Sequence, residues 1–164
     1  MPASCHICVL PVDDGLRAAM LALTVLPAQH GYVGHIANLL ADAAACPDAE
    51  PMAICRAGQP VGYYRIDPHA RSVAGHDLAV PTLGLRGFFV DARWQGQGLG
   101  ARALSALLAD VSARHPTARQ LALTVDPGNA VAIGIYLRAD FHDGTGLYHD
   151  GGSRSQRLLL RKLP

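Results

Sequence analysis

Apolar side chains along this chain recur at two spacings. From Leu83 to Val90 they run almost unbroken as Leu83-Gly84-Leu85-Arg86-Gly87-Phe88-Phe89-Val90, which predicts a strand. After Leu99 the apolar positions Leu104, Leu107, Leu108 and Val111 fall at i, i+3, i+4 and i+7, with Arg102, Ser105, Asp110 and Arg114 on the other side, which predicts a helix with one buried face. Between them lies Asp91-Ala92-Arg93-Trp94-Gln95-Gly96-Gln97-Gly98-Leu99-Gly100. This strand, glycine loop and helix organise the rest of the chain.

The same two spacings assign the flanks. Cys5 to Pro11 reads as a strand, and Asp13 or Asp14 caps a helix carried by Leu16, Met20 and Leu23 as far as Pro27. A second helix runs from about His35 to Ala45 on Ile36, Leu39, Leu40 and Ala43. Met52 to Arg56 and Val61 to Ile66 flank Ala57-Gly58-Gln59-Pro60 as an antiparallel hairpin, and Asp67 to Pro81, rich in Gly, Pro, His and Asp, reads as a loop. His115-Pro116 closes the glycine-loop helix, and Gln120 to Val125 forms the next strand. Strand, helix and strand make a crossover with parallel neighbours, so the glycine loop and Asp126 both follow the carboxyl ends of strands. Asp126-Pro127-Gly128 is a turn, and Asn129 caps a helix through Leu137. Phe141 to Leu163 reads as a hairpin of Gly146 to His149, the turn Asp150-Gly151-Gly152-Ser153, and Gln156 to Leu163.

With 164 residues, half of them apolar, the chain is expected to be one domain, residues 1–164. A net charge of +1 without a basic cluster argues against a nucleic-acid surface. No apolar segment approaches the roughly 20 residues that span a bilayer, and Met1 to Leu10 lacks the charged start and apolar core of a secretory leader, so the expected location is the cytoplasm. Cys5-His6-Ile7-Cys8 has C-x-x-C spacing, but no second pair follows, and in an extended strand Cys5 and Cys8 point to opposite faces. No metal is expected.

Gly96, Gly98 and Gly100 allow positive φ and close approach of the backbone, and the first-turn amides of the new helix lack intrahelical partners. Such a turn favours a phosphate or pyrophosphate. Gly96-Gln97-Gly98-Leu99-Gly100-Ala101 also satisfies the dinucleotide pattern G-x-G-x-x-A, with Asp126 as a ribose partner. Only 64 residues follow Gly100, too few for a second mononucleotide half. A Walker loop is excluded by the absence of Gly-Lys-Ser/Thr, and a merely structural turn needs one glycine rather than three.

The segment resembles the acyl-CoA signature of the GNAT family of N-acetyltransferases, Q/R-x-x-G-x-G/A, through Gln95, Gly98 and Gly100. A second family motif, N-x-x-A-x-x-x-Y-x-x-x-G-F, is matched by Asn129, Ala132, Tyr136 and Phe141, with Asp140 where glycine is usual. Asp tolerates the left-handed conformation that such a helix end requires. The resemblance covers about Met52 to Leu163. It implies an α/β fold with a central mixed, mostly antiparallel sheet, one parallel strand pair at the cofactor cleft, and about four flanking helices.

The resemblance also implies an enzyme that transfers an acetyl group from acetyl-CoA to a primary amine by direct attack. The cofactor residues it points to are Phe88, Phe89 and Val90 for the pantetheine arm, Gln95, Gly96, Gln97, Gly98, Leu99, Gly100 and Ala101 for the pyrophosphate, and Asn129, Ala132 and Tyr136. Arg93, Arg102 and Arg138 are candidates for the 3′-phosphate, and each also fits a solvated surface role. Tyr136 is the expected catalytic acid, because a phenol with a pKa near 10 is protonated at neutral pH and can donate to a thiolate whose parent thiol has a pKa near 8.5. Gly134, costly in a helix interior, suggests a close ligand contact there.

Many relatives place a glutamate on the strand before the loop. Here the one glutamate is Glu50, far in sequence from the site, so His76 and Asp77 just before the strand are the candidate bases, alongside an ordered water. Gln29, His30, Tyr32 and His35 are candidate acceptor contacts. The run Leu85 to Asp91 followed by Gln95 to Gly98 is similar to the polyamine and diamine acetyltransferases, which favours a small amine acceptor, with peptides and aminoglycosides left open. A non-catalytic acyl-CoA-binding module is the alternative from another class. Neither nucleic acid nor membrane is expected as a partner, and the reading allows a homodimer.

Overall fold

The computed structural model describes residues 6–149 and 155–164. The turn at Asp150 to Ser153, and Cys5 of the C-x-x-C pair, lie outside the described residues. Among the described residues seven strands hydrogen-bond in the order β1-β2-β3-β4-β5-β7-β6, and five α-helices accompany them. The chain divides into two compact units, Met1–Arg65 with Gly87–Asp110, and Ile66–Arg86 with Val111–Pro164; the division falls inside β3, β4 and α4.

In the first unit, β1 (Ile7–Pro11) pairs antiparallel with β2 (Glu50–Arg56), and β3 (Gln59–Asp67) follows through a two-residue turn. Ala57 and Gly58 have φ of 50° and 80°, the mirror-image turn whose twist suits a hairpin. The hairpin is therefore tighter than the four-residue connection expected from the sequence. Helix α1 (Asp14–Leu21) is capped by Asp13, whose side chain accepts the Leu16 N–H at 2.8 Å. It stops well short of Pro27. Leu23 and Val25 are both buried, and only an extended segment points alternate residues to the same side. Pro27 then opens a short 3₁₀ turn, Pro27–Gln29, before α2 (Ile36–Ala44), with His35 at its N-cap. Met20, Leu23, Val25, Ile36, Leu40, Tyr63 and Phe89 form one core cluster. Gly62 on β3 lies so close to the end of β4 (Thr82–Val90) that a Cβ there would sit 2.5 Å from the Phe89 carbonyl oxygen.

In the second unit the parallel pair is β4 with β5 (Gln120–Val125), in register Thr82 with Gln120 and Gly84 with Ala122. β7 (Ser155–Lys162) pairs antiparallel with both β5 and β6 (His142–His149). The final hairpin thus inserts its second strand next to β5 and leaves β6 outside. The segment expected to be all loop contains one helical turn, α3 (Arg71–Ala74), whose Val73 and Ala74 pack on Ala122 and Leu158. Burial of two apolar side chains holds that turn where Gly and Pro composition argued against it.

Helix α4 (Leu99–Arg114) buries Leu104, Leu107 and Val111 of the expected apolar face and half-buries Leu108, while Arg102, Ser105 and Arg114 stay exposed. Asp110 is half-buried and accepts from the Tyr64 hydroxyl at 3.5 Å. Helix α5 (Ala130–Arg138) begins at Asn129, whose side chain accepts the Ala132 N–H at 3.4 Å.

Candidate active site

The first unit carries the glycine loop. β4 ends at Val90, and Asp91, with 0% of its surface exposed, turns the chain into the 3₁₀ segment Ala92–Trp94. A buried carboxylate is tolerated only when paired and hydrogen-bonded. Asp91 Oδ1 accepts the Thr24 N–H at 2.8 Å, and Oδ2 accepts the Arg93 backbone N–H at 3.3 Å and its Nε at 2.7 Å. The Ala92 N–H in turn donates to the Thr24 carbonyl at 2.7 Å. This clasp between strand end and α1–α2 loop went unnoticed in the sequence, where its one signal is an acid directly after an apolar run.

Gln95, read as a cofactor residue, spends its side chain on the protein. Its Nε2 donates to the Val90 carbonyl and to Gln29 Oε1, both at 2.8 Å, and its Oε1 accepts from Gln29 Nε2 at 3.0 Å. Its backbone is what is left to face a ligand. Gly96 and Gly98 hold φ of 78° and 74°, and a Cβ on either would meet nothing within 4 Å. Space and exposed backbone coincide at the start of α4, where the helix dipole is positive. Gly100 differs from the expectation of three left-handed glycines, for it is already inside α4. Gln97 and Ala101 are exposed and Leu99 is buried. Trp94 packs under the Arg56 guanidinium at 5.1 Å, and Arg93, a 3′-phosphate candidate, is bound to Asp91.

A cleft of about 320 Å³ opens beside the end of β4, lined by residues 21–25, His30, Gly34, His35, Ile36, Ala37 and Phe89. His30 and His35 stand edge to face with ring centroids 5.1 Å apart, and His30 Nε2 lies 3.3 Å from the Val25 carbonyl oxygen. Of the four acceptor candidates, His30 and His35 thus line the cleft. Gln29 is the partner of Gln95, and Tyr32 is exposed.

The second unit carries the tyrosine. Tyr136 is buried, 6% exposed, and burial pushes its phenol well above the ordinary value, so the hydroxyl stays protonated. The end of α5 holds it. Phe141 N–H bonds to the Tyr136 carbonyl and Asp140 N–H to that of Leu137, the 6→1 and 5→2 pair of a Schellman close. Asp140 takes φ of 67°, the left-handed conformation the motif's glycine position calls for. The Phe141 ring completes the close edge-on against Tyr136 at 5.5 Å.

The space over Gly134 is taken by the Arg138 guanidinium, 3.2 Å from where a Cβ would be, so the close contact there is with this chain's own arginine. Asp126 caps its own turn, accepting the Gly128 N–H at 2.8 Å. Of the expected bases, His76 is exposed, and Asp77 accepts Arg71 Nε and Nη2 at 3.2 and 3.0 Å on the surface. Cys8 faces Cys55 across the β1–β2 pair, and burial first, then the neighbouring Cys8, pushes the Cys55 thiol up to about 11. Among the described residues no group of three His, Cys, Asp or Glu is placed to hold a metal.

Residues 27–141 match the model of the acetyltransferase (GNAT) family. The chain belongs to that family. As a GNAT member it is an acyl-CoA-dependent N-acyltransferase. It is 31% identical over 154 residues to the spermine/spermidine N(1)-acetyltransferase of Bacillus subtilis strain 168, covering 93% of this chain and 95% of that one. Its fold is shared with the aminoglycoside acetyltransferase AAC(6')-Ib in complex with coenzyme A, at a TM-score of 0.75 and 18% identity over 96% and 95% of the two chains. A GNAT acetyltransferase from Elizabethkingia anophelis with acetyl-CoA bound superposes at a TM-score of 0.62, with 14% identity over 96% and 98%.

Proposed function

We propose that this acetyltransferase uses acetyl-CoA to acetylate the primary amine of a small molecule, by direct attack, and that residues 1–164 act as a single N-acetyltransferase domain. The observation that carries the reading is the glycine loop: left-handed Gly96 and Gly98 with open space over each, at the start of a 16-residue helix. The likeness to a spermine/spermidine acetyltransferase supports a small amine as acceptor.

When bound, acetyl-CoA supplies an acetyl thioester activated for attack. In this reading the backbone of Gln95, Gly96, Gln97, Gly98, Leu99, Gly100 and Ala101 holds the pyrophosphate, since a negative charge is favoured at a helix N-terminus whose amides have no intrahelical partner. The backbone of Phe88, Phe89 and Val90 bonds the pantetheine arm in the manner of an added strand. Asn129 and Ala132 shape the start of α5, and the Tyr136 hydroxyl donates the proton that the departing sulfur needs. The Schellman close and the Phe141 ring hold the end of α5 and the Tyr136 ring that carries this hydroxyl.

No described helix is long and apolar enough to cross a membrane, and the protein is read as a cytoplasmic enzyme that engages neither nucleic acid nor lipid. The homodimer that this reading allows is checked by analytical ultracentrifugation. The decisive assay is free-CoA release with acetyl-CoA and a panel of polyamines, aryl-alkylamines, aminoglycosides and short peptides. Turnover on small amines is expected. Turnover on peptides alone would replace the acceptor class, and acetyl-CoA binding without turnover on any arm would leave a non-catalytic acyl-CoA module.

A further inference from the structure

β4 carries no carboxylate, and Asp77 is bound to Arg71, so the amine's proton needs another acceptor. The cleft beside β4 contains one. Three links tie it to the glycine loop within the first unit: the reciprocal Gln29–Gln95 amide pair, the Asp91 carboxylate on the Thr24 N–H, and the Ala92 N–H on the Thr24 carbonyl. Thr24 itself lines the cleft, as does Phe89 of the strand that leads into the loop. A molecule in the cleft therefore sits against the strand end from which the cofactor loop departs.

We propose that the acceptor amine enters this cleft and that His30 Nδ1 takes its proton. A carbonyl oxygen only accepts, so the 3.3 Å contact of His30 Nε2 with the Val25 carbonyl is a hydrogen bond in the tautomer that carries the ring hydrogen on Nε2. We assign that tautomer, which leaves Nδ1 as the bare acceptor. The step balances without an added reagent. The ammonium N–H bond breaks, the Nδ1–H bond forms, the amine nitrogen keeps the electron pair with which it attacks the acyl carbon, and the imidazolium returns its proton to water at its exposed edge. The groups facing His30 are few. α2 contributes the His35 imidazole at 5.1 Å, and the α1 and β4 residues lining the cleft carry no ionisable side chain. Asp91, the carboxylate hydrogen-bonded to Thr24 of the cleft wall, has both oxygens engaged by Thr24 and Arg93. No carboxylate lines the cleft to pair with the amine, and the imidazoles of His30 and His35 are the basic groups among its lining residues.

This assignment rests on the amine-transfer reading, and the test separates the two. His30→Gln keeps a donor for Val25 and removes the base. With the best amine of the panel, its kcat is expected to fall about 10²–10⁴-fold, the usual range for a general base, while calorimetry gives unchanged acetyl-CoA affinity. His30→Ala should lose as much and regain part of its rate on adding imidazole, which a purely structural residue would not do. A readout independent of turnover is nitrogen NMR of histidine-labelled protein without cofactor: His30 should be the Nε2–H tautomer, with its Nδ1 resonance moved by the amine. Folded His30→Gln with kcat within threefold of wild type, an Nδ1–H tautomer, or imidazole rescue at His35→Ala instead, would overturn the assignment. Wild-type protein that binds acetyl-CoA but turns over no amine would remove the reaction itself and the base with it.

Discussion

The glycine loop and the end of α5 make opposite use of side chains. At Gly96 and Gly98 the backbone is exposed and left-handed with empty space where a Cβ would stand, so the binding proposed there depends on what is absent. At Tyr136 the hydroxyl sits on a buried ring held by two backbone bonds and an aromatic edge, so the role proposed for it depends on packing. An open cradle tolerates change in fold terms and fails in binding. A packed residue in the donor role proposed for Tyr136 is expected to fail in chemistry when one atom is removed, and in stability when its support goes.

The sharpest separation comes from Tyr136→Phe, which keeps the ring against Phe141 and deletes only the hydroxyl. We expect kcat to fall by roughly 10²–10⁴-fold where chemistry limits turnover, with acetyl-CoA affinity nearly unchanged by calorimetry. Because burial raises the Tyr136 pKa, the protonated form persists throughout the working range, and any alkaline loss of activity in wild type comes from another group. Full kcat in Tyr136→Phe would make the residue a packing element.

Next in size is a change that tests the strand frame behind the loop. Gly62→Ala would drive a Cβ to 2.5 Å from the Phe89 carbonyl oxygen, a backbone atom that cannot swing aside. Overpacking of this kind costs about 1–3 kcal/mol, read as a lower midpoint in urea. An unchanged midpoint would mean that β3 and β4 separate freely.

Gly98→Asp tests the loop itself. The left-handed backbone strains the substitution and the carboxylate takes the place proposed for pyrophosphate, while the neighbouring space is empty. Acetyl-CoA affinity should drop at least tenfold, about 1.4 kcal/mol, with the fold retained by circular dichroism. Unaltered affinity would detach the loop from the cofactor.

Smallest is Asp140→Gly, which should raise the melting temperature by relieving the left-handed Asp at the Schellman close, a gain of less than about 1 kcal/mol after the unfolded chain's added freedom is subtracted. Activity should be kept, since the glycine only reinforces the support under Tyr136. A lower melting temperature would show the Asp140 side chain to be stabilising in its own right.

Much of this was legible in order along the chain. Periodicity placed α4 and β5 correctly, an aspartate at 13 or 14 and Asn129 announced their helices as caps, the structure choosing Asp13, and the departure from glycine at Asp140 was readable as a tolerated left-handed residue. These are local effects, set by a few neighbouring residues and the backbone alone. What the local pattern could not carry was set by distant burial: α1 gives way to an extended segment so that Leu23 and Val25 both reach the core, and α3 forms because Val73 and Ala74 meet Ala122 and Leu158.

The same line divides the site. Residue types and spacing by themselves determined that a glycine loop precedes a helix and that an asparagine and a tyrosine share the stripe of a later one, because motif spacing is a property of one helix or one turn. Only the tertiary structure decided that β7 rather than β6 lies beside β5, that Gln95 turns its amide to Gln29, and that Asp91 clasps Thr24. It also decided that His76 and Asp77 face solvent while His30 and His35 share a cleft with Phe89. Residues 66 or 67 positions apart meet only when strands pair and cores close, since the free energy that joins them comes from burying surface neither segment can bury alone.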